Sequence, residues 1–94
     1  MNINEFDFFE QVESKINRLH ENKKDSRKLI VSIIKKENNP YNQFYTRILP
    51  IKTDEKIDVK ELCDGKMKIV NYIFDNKTKS AKEVYNFIKN HDIQ

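Results

Sequence analysis

Lys66-Met67-Lys68-Ile69-Val70-Asn71-Tyr72-Ile73-Phe74-Asp75 is the stretch on which the fold of this chain turns. Read as a helix, Met67, Val70 and Ile73/Phe74 form one stripe, with Ile69 and Ile73 four residues apart. Read as a strand, Met67, Ile69 and Ile73 face one way while Val70, Tyr72 and Phe74 face the other, a run buried on both sides. Length does not separate the two, and the helix is the preferred reading.

Working outward, the segment 80–91 reads as a helix: Ser80 and Glu83 make a capping box, and Ala81, Val84, Phe87 and Ile88 supply an apolar face. On the other side, 54–64 reads as a short helix with Ile57, Val59, Leu62 and Cys63 as apolar positions and Gly65 as its C′ residue. Before it, 28–36 and 41–49 read as two strands of a hairpin. Leu29, Val31 and Ile33 share one face of the first strand, and Phe44, Thr46 and Ile48 alternate with Gln43, Tyr45 and Arg47 in the second. Asn38, Asn39 and Pro40 suit the turn between them, and Pro50, which cannot donate to a ladder, closes the second strand. At the beginning, 4–22 reads as a helix with Asn4 as N-cap and Asp7 at N3. Phe9, Val12, Ile16 and Leu19 recur at helical steps there, widened by Phe6 and Phe8. The expected architecture is α+β in one small domain, 1–94: an N-terminal helix, a basic β-hairpin, then C-terminal helices.

Charge is unevenly distributed over these segments. The formal net charge is only +3, yet residues 23–52 hold eight bases (Lys23, Lys24, Arg27, Lys28, Lys35, Lys36, Arg47, Lys52) against Asp25 and Glu37. Residues 1–22 and 53–65 are acidic on balance. An electropositive surface is therefore expected on the hairpin of a nearly neutral molecule. The 15 Lys, 12 Ile and 11 Asn need no functional cause, because their codons are AT-rich.

Composition excludes several classes of activity. A single glycine, Gly65, rules out a glycine-rich phosphate loop, and no apolar run is long enough to span a bilayer. The acidic start of the chain is unlike an export signal, and the single cysteine, Cys63, fits a reducing compartment, so a cytoplasmic location is expected. His20, His91 and Cys63 show no spacing that brings a nucleophile to a base, and the acids follow no metal-binding pattern. No catalytic residue, metal or cofactor is expected, and neither is a small-molecule substrate.

The run from Lys68 to Val84, with its Ile69-x-x-x-Ile73 spacing, polar turn and Ser80-Ala81-Lys82-Glu83 start, resembles the opening of a winged helix-turn-helix domain. That resemblance implies DNA binding, as in the family's plasmid-transfer accessory proteins, at an origin or operator site on a plasmid or other mobile element. In the usual order the wing follows the helices; here the hairpin precedes them, so DNA contact falls to the wing. Were 66–75 a strand, the order helix, three strands, helix would resemble a double-stranded-RNA-binding domain, with Lys77, Lys79 and Lys82 comparable to its phosphate clamp. The glycines of that family are absent. A protein-binding inhibitor of phage or plasmid origin, using the same hairpin against an acidic partner, is the reading from another class.

The hairpin chemistry suits double-stranded DNA, AT-rich in particular. Lys35, Lys36 and Arg47 would neutralise phosphates, as would Lys23, Lys24, Arg27, Lys28, Lys77 and Lys79 around them. Asn38, Asn39, Asn42 and Gln43 carry the donors and acceptors that base edges require, and Tyr41 and Tyr45 offer flat rings. For Asn38 and Asn39 turn chemistry is the competing role, and for Lys35 and Lys36 it is protection of a strand edge. So small a domain covers little DNA, which favours a homodimer.

Overall fold

The computed structural model describes residues 1–22, 26–52, 55–78 and 80–93; Lys23, Lys24 and Lys79 of the candidate set lie outside them. Six elements follow one another: α1 (Glu5–Glu21), β1 (Lys28–Lys36), β2 (Gln43–Leu49), β3 (Ile57–Asp64), β4 (Met67–Phe74) and α2 (Ala81–Ile93). All strand pairs are antiparallel, and the sheet order is β2-β1-β4-β3.

Two expectations are corrected here. The stretch 66–75 is strand β4, and 54–64 contains strand β3 instead of a helix. The reason is the content of both segments together. β4 is rich in β-branched and aromatic residues and is buried on both faces, as a central strand must be: Val70, Tyr72 and Phe74 lie on one side and Ile73 on the other. Its partner β3 begins with the strand-like alternation Ile57-Asp58-Val59-Lys60, and only Gly65 and Lys66 separate the strands. Gly65 sits at φ +59°, so it is the first residue of a two-residue hairpin turn and not a helix C′ residue. The C-terminal part therefore holds one helix, and β4 stands where the first helix of a helix-turn-helix would be. With four strands in the order β2-β1-β4-β3, the sheet also differs from the three strands of the RNA-binding alternative.

The remaining elements form as their sequences dictate. Asn4 caps α1, its Oδ1 accepting the Asp7 amide at 3.1 Å, and Ser80 caps α2 by accepting the Glu83 amide at 3.2 Å. Phe8, Val12, Ile16 and Leu19 are the buried stripe of α1, while Phe9 is half-buried and Phe6 is 80% exposed. On α2 the buried set is Ala81, Val84, Tyr85 and Ile88. These stripes meet Leu29, Val31 and Ile33 of β1 and Val70, Tyr72 and Phe74 of β4 in one core. Both helices thus cover the same face of the sheet, α1 lying over β1 and β2. The Tyr85 hydroxyl donates to Glu5 at 2.5 Å and ties the helices together.

No helix among the described residues covers the opposite face, where Ile30, Ser32 and Ile73 are nonetheless buried among their strand neighbours. Period-two alternation puts Lys28, Ile30, Ser32, Ile34 and Lys36 of β1 there, with Gln43, Tyr45, Arg47 and Leu49 of β2. No helix among the described residues is long and apolar enough to cross a membrane.

Candidate functional site

β1 is a central strand, bonded to β2 on one side and to β4 on the other, so the hairpin is half of a sheet and not a free-standing arm. This placement sorts the sequence-selected residues into three groups. At the turn end lie Lys35, Lys36, Asn38, Asn39, Tyr41, Asn42 and Gln43; in the middle of the open face lie Tyr45 and Arg47. At the far end lie Lys28, paired with Leu49, and beyond that pair Arg27 and Lys77. Lys77 is therefore separated from the turn by the length of β4, about 23 Å.

Neighbouring lysines at the turn end have different surroundings. Lys35 points to the helix side and forms an ion pair with Asp92 of α2. Lys36 points to the open side and is exposed. In the turn, Asn38 adopts φ 66°, the left-handed conformation that asparagine tolerates, and the Asn39 side chain accepts the Tyr41 amide at 3.0 Å. Both asparagines thus do turn work. Asn2 fastens the turn from the other side: its Nδ2 donates to the Pro40 carbonyl at 2.6 Å, and its own carbonyl accepts the Asn42 amide at 2.9 Å. A further backbone bond, Glu37 N–H to the Lys66 carbonyl at 2.8 Å, joins this turn to the β3–β4 turn beside it. Tyr41 is left 70% exposed on a held loop.

On the open face a polar chain crosses three strands. Arg47 Nη2 donates to Ser32 Oγ at 3.4 Å, and Ser32 Oγ donates to Asn71 Oδ1 at 2.6 Å. The serine fixes the guanidinium from below, and the arginine itself is exposed. Tyr45, 54% exposed, stands beside it on β2. The outward face of the β1–β2 pair carries three cations, Lys28, Lys36 and Arg47, and no acid.

A second polar cluster, not legible from spacing, lies on the helix side. A cleft of about 360 Å³ is lined by Lys35, Glu61, Lys68, Val70, Tyr72, His91 and Asp92. Here the Tyr72 hydroxyl lies 2.9 Å from His91 Nδ1, and Lys68 pairs with Glu61 at 3.6 Å. Burial, with the nearby charges of Asp92 and Glu61, raises the Tyr72 phenol to about 12. The cations of this cleft are neutralised by its own carboxylates, and its bonds fasten α2 to β4. Cys63 is exposed, and no group of three His, Cys, Asp or Glu side chains among the described residues could hold a metal ion.

No protein-family model, characterised protein or solved structure matches the chain significantly.

Proposed function

We propose that this chain is a non-catalytic DNA-binding protein that lays the outward face of its β1–β2 hairpin against the duplex. One observation carries the reading: that face holds Lys28, Lys36 and Arg47 without an acid, while both helices occupy the other side of the sheet. Lys28 and Lys36 stand eight residues apart on β1, about 27 Å at strand rise. That length matches the axial rise of roughly eight base pairs, given two phosphates per 3.4 Å of duplex. Lys28 and Lys36 can each meet a phosphate at either end of that span, and Arg47, held by Ser32 between them, adds a fixed planar donor. Gln43 and the exposed Tyr41 at the turn reach for base edges and sugars. The narrow minor groove of AT-rich sequence, with its enhanced negative potential, is the form such cations favour. The hairpin's role is wing-like, at an operator or origin site, with the wing anchored in a sheet.

Fluorescence anisotropy with an AT-rich duplex across a salt series tests this. Lys28→Ala with Lys36→Ala removes two phosphate contacts, so the slope of log K against log salt falls by roughly 1.8 per chain. An affinity and slope equal to wild type would remove the hairpin face from the mechanism.

A further inference from the structure

The two edges of the sheet differ in how they are guarded. β3, one edge, carries four charges in eight residues (Asp58, Lys60, Glu61, Asp64), a common defence against pairing with another chain. β2, the other edge, reads Gln43-Phe44-Tyr45-Thr46-Arg47-Ile48-Leu49, with one charge and neither proline nor glycine. Its outward backbone groups can be assigned. Asn42 directs its amide to Asn2 and away from β1, so at alternate positions along the same edge Phe44, Thr46 and Ile48 point outward.

From this edge we infer that the chain forms a two-fold dimer by antiparallel pairing of β2 with β2 of a second copy, centred on Thr46. That register pairs the strand along its full length, Gln43 to Leu49, because Thr46 is its midpoint. It sets Thr46 against Thr46, Phe44 against Ile48 and Tyr45 against Arg47, and each of these is a favourable cross-strand combination. Moving the centre to Arg47 would oppose two guanidinium groups. Moving it to Tyr45 would leave Ile48 and Leu49 beyond the partner's ladder.

The helix above this edge is self-complementary in the same sense. Gln11 faces β2, with Thr46 Oγ1 at 3.5 Å from its Oε1, and Gln11 bonds Asp7 one turn earlier on the same line. Lys15 lies one turn later on that line. A two-fold axis at Thr46 runs the two α1 helices antiparallel and brings Asp7 of each copy towards Lys15 of the other. With strands 4.8 Å apart, helices seated over β1 and β2 come to about 10 Å from one another, an ordinary packing distance.

The resulting eight-stranded sheet joins the two hairpin faces into one surface. This consequence rests on the DNA-binding reading above; the dimer does not. Since an edge interface is small, its dissociation constant should be on the order of micromolar.

Sedimentation equilibrium of the full chain without DNA, from about 1 to 200 μM, decides the matter. Wild type is expected to dimerise in that range. Thr46→Pro removes the central outward donor without breaking a bond to β1 and should leave a monomer with native circular dichroism. Asp7→Lys should weaken the dimer at least tenfold, and Asp7→Lys with Lys15→Asp should restore it, because the two sites are eight residues apart and cannot pair within one chain. A wild-type chain that stays monomeric overturns the inference, as does a dimer indifferent to both the proline and the charge reversal. Should the proline variant unfold, the charge-reversal pair decides alone. Lys28→Ala with Lys36→Ala leaves the dimer intact, so loss of DNA binding and loss of the dimer are read separately.

Discussion

Lys35→Ala and Lys36→Ala, adjacent truncations of the same residue type, should have opposite consequences. Lys35 is paired with Asp92, and their side chains are only 34% and 17% exposed. Removing the lysine ammonium leaves a mostly buried carboxylate with, among the described residues, the looser contact to the Met1 ammonium at 3.8 Å. The penalty for a weakened pair of this kind is about 1–2 kcal/mol, less than for a fully buried ion because water still reaches the site. In a domain of 94 residues each kcal/mol moves the midpoint by about 4–8 °C, so Lys35→Ala should melt roughly 5–15 °C below wild type. Lys36 is exposed, and its truncation should cost under about 0.5 kcal/mol. Thermal and urea unfolding followed by circular dichroism measure both. DNA titration should show the reverse order, with Lys36→Ala the more damaging. Equal melting points for the two variants would refute the division of labour between these lysines. A double truncation is expected to be destabilised by its Lys35 half alone.

Other expectations follow from the core and the turns. Phe8 is fully buried against Phe44 and Tyr85, so Phe8→Ala should cost about 3–5 kcal/mol, read as a lower urea midpoint with unchanged slope. A methyl group on Gly65 would meet no atom within 4 Å, but the residue sits at φ +59°. Gly65→Ala should therefore cost about 1 kcal/mol of backbone strain and nothing for packing, again read from the urea midpoint. Tyr72 ionises near 12 when folded and at its ordinary value of 10.0 when unfolded. Its contribution to stability is therefore complete below pH 10 and is lost as pH rises towards 12; Tyr72→Phe, with no proton to lose, should flatten that alkaline decline in a pH series of urea midpoints.

Much of this fold is written in local pattern. The caps Asn4 and Ser80, the stripe Val12-Ile16-Leu19 and the alternation of Phe44, Thr46 and Ile48 each specify an element without help from the rest of the chain. β4 is not local in that sense. A strand buried on both faces shows no alternation, so Ile69 to Phe74 fits a helix equally well until its partners are known. The signal that resolves it lies across the turn: Gly65-Lys66 is a two-residue turn joining Ile57–Asp64 to Met67–Phe74 as a hairpin, and treating Ile57–Asp64 alone hides it. The candidate site divides along the same line. Alternation along β1 and β2 already places Lys36, Gln43, Tyr45 and Arg47 on one face. The pairing of Lys35 with Asp92, and of Tyr72 with His91, joins residues 57 and 19 positions apart and depends on where α2 docks. The distance from Lys77 to the turn likewise depends on strand direction, which charge counting along the chain cannot register.

The central claim is that duplex DNA meets the open face of the β1–β2 hairpin, and amide chemical-shift mapping during titration with an AT-rich duplex tests it residue by residue. Progressive shifts are predicted at Lys28, Lys36, Gln43, Tyr45 and Arg47, fading at higher salt, with the outer faces of α1 and α2 unchanged. Shifts confined to the helices, or a spectrum indifferent to saturating duplex, would contradict it.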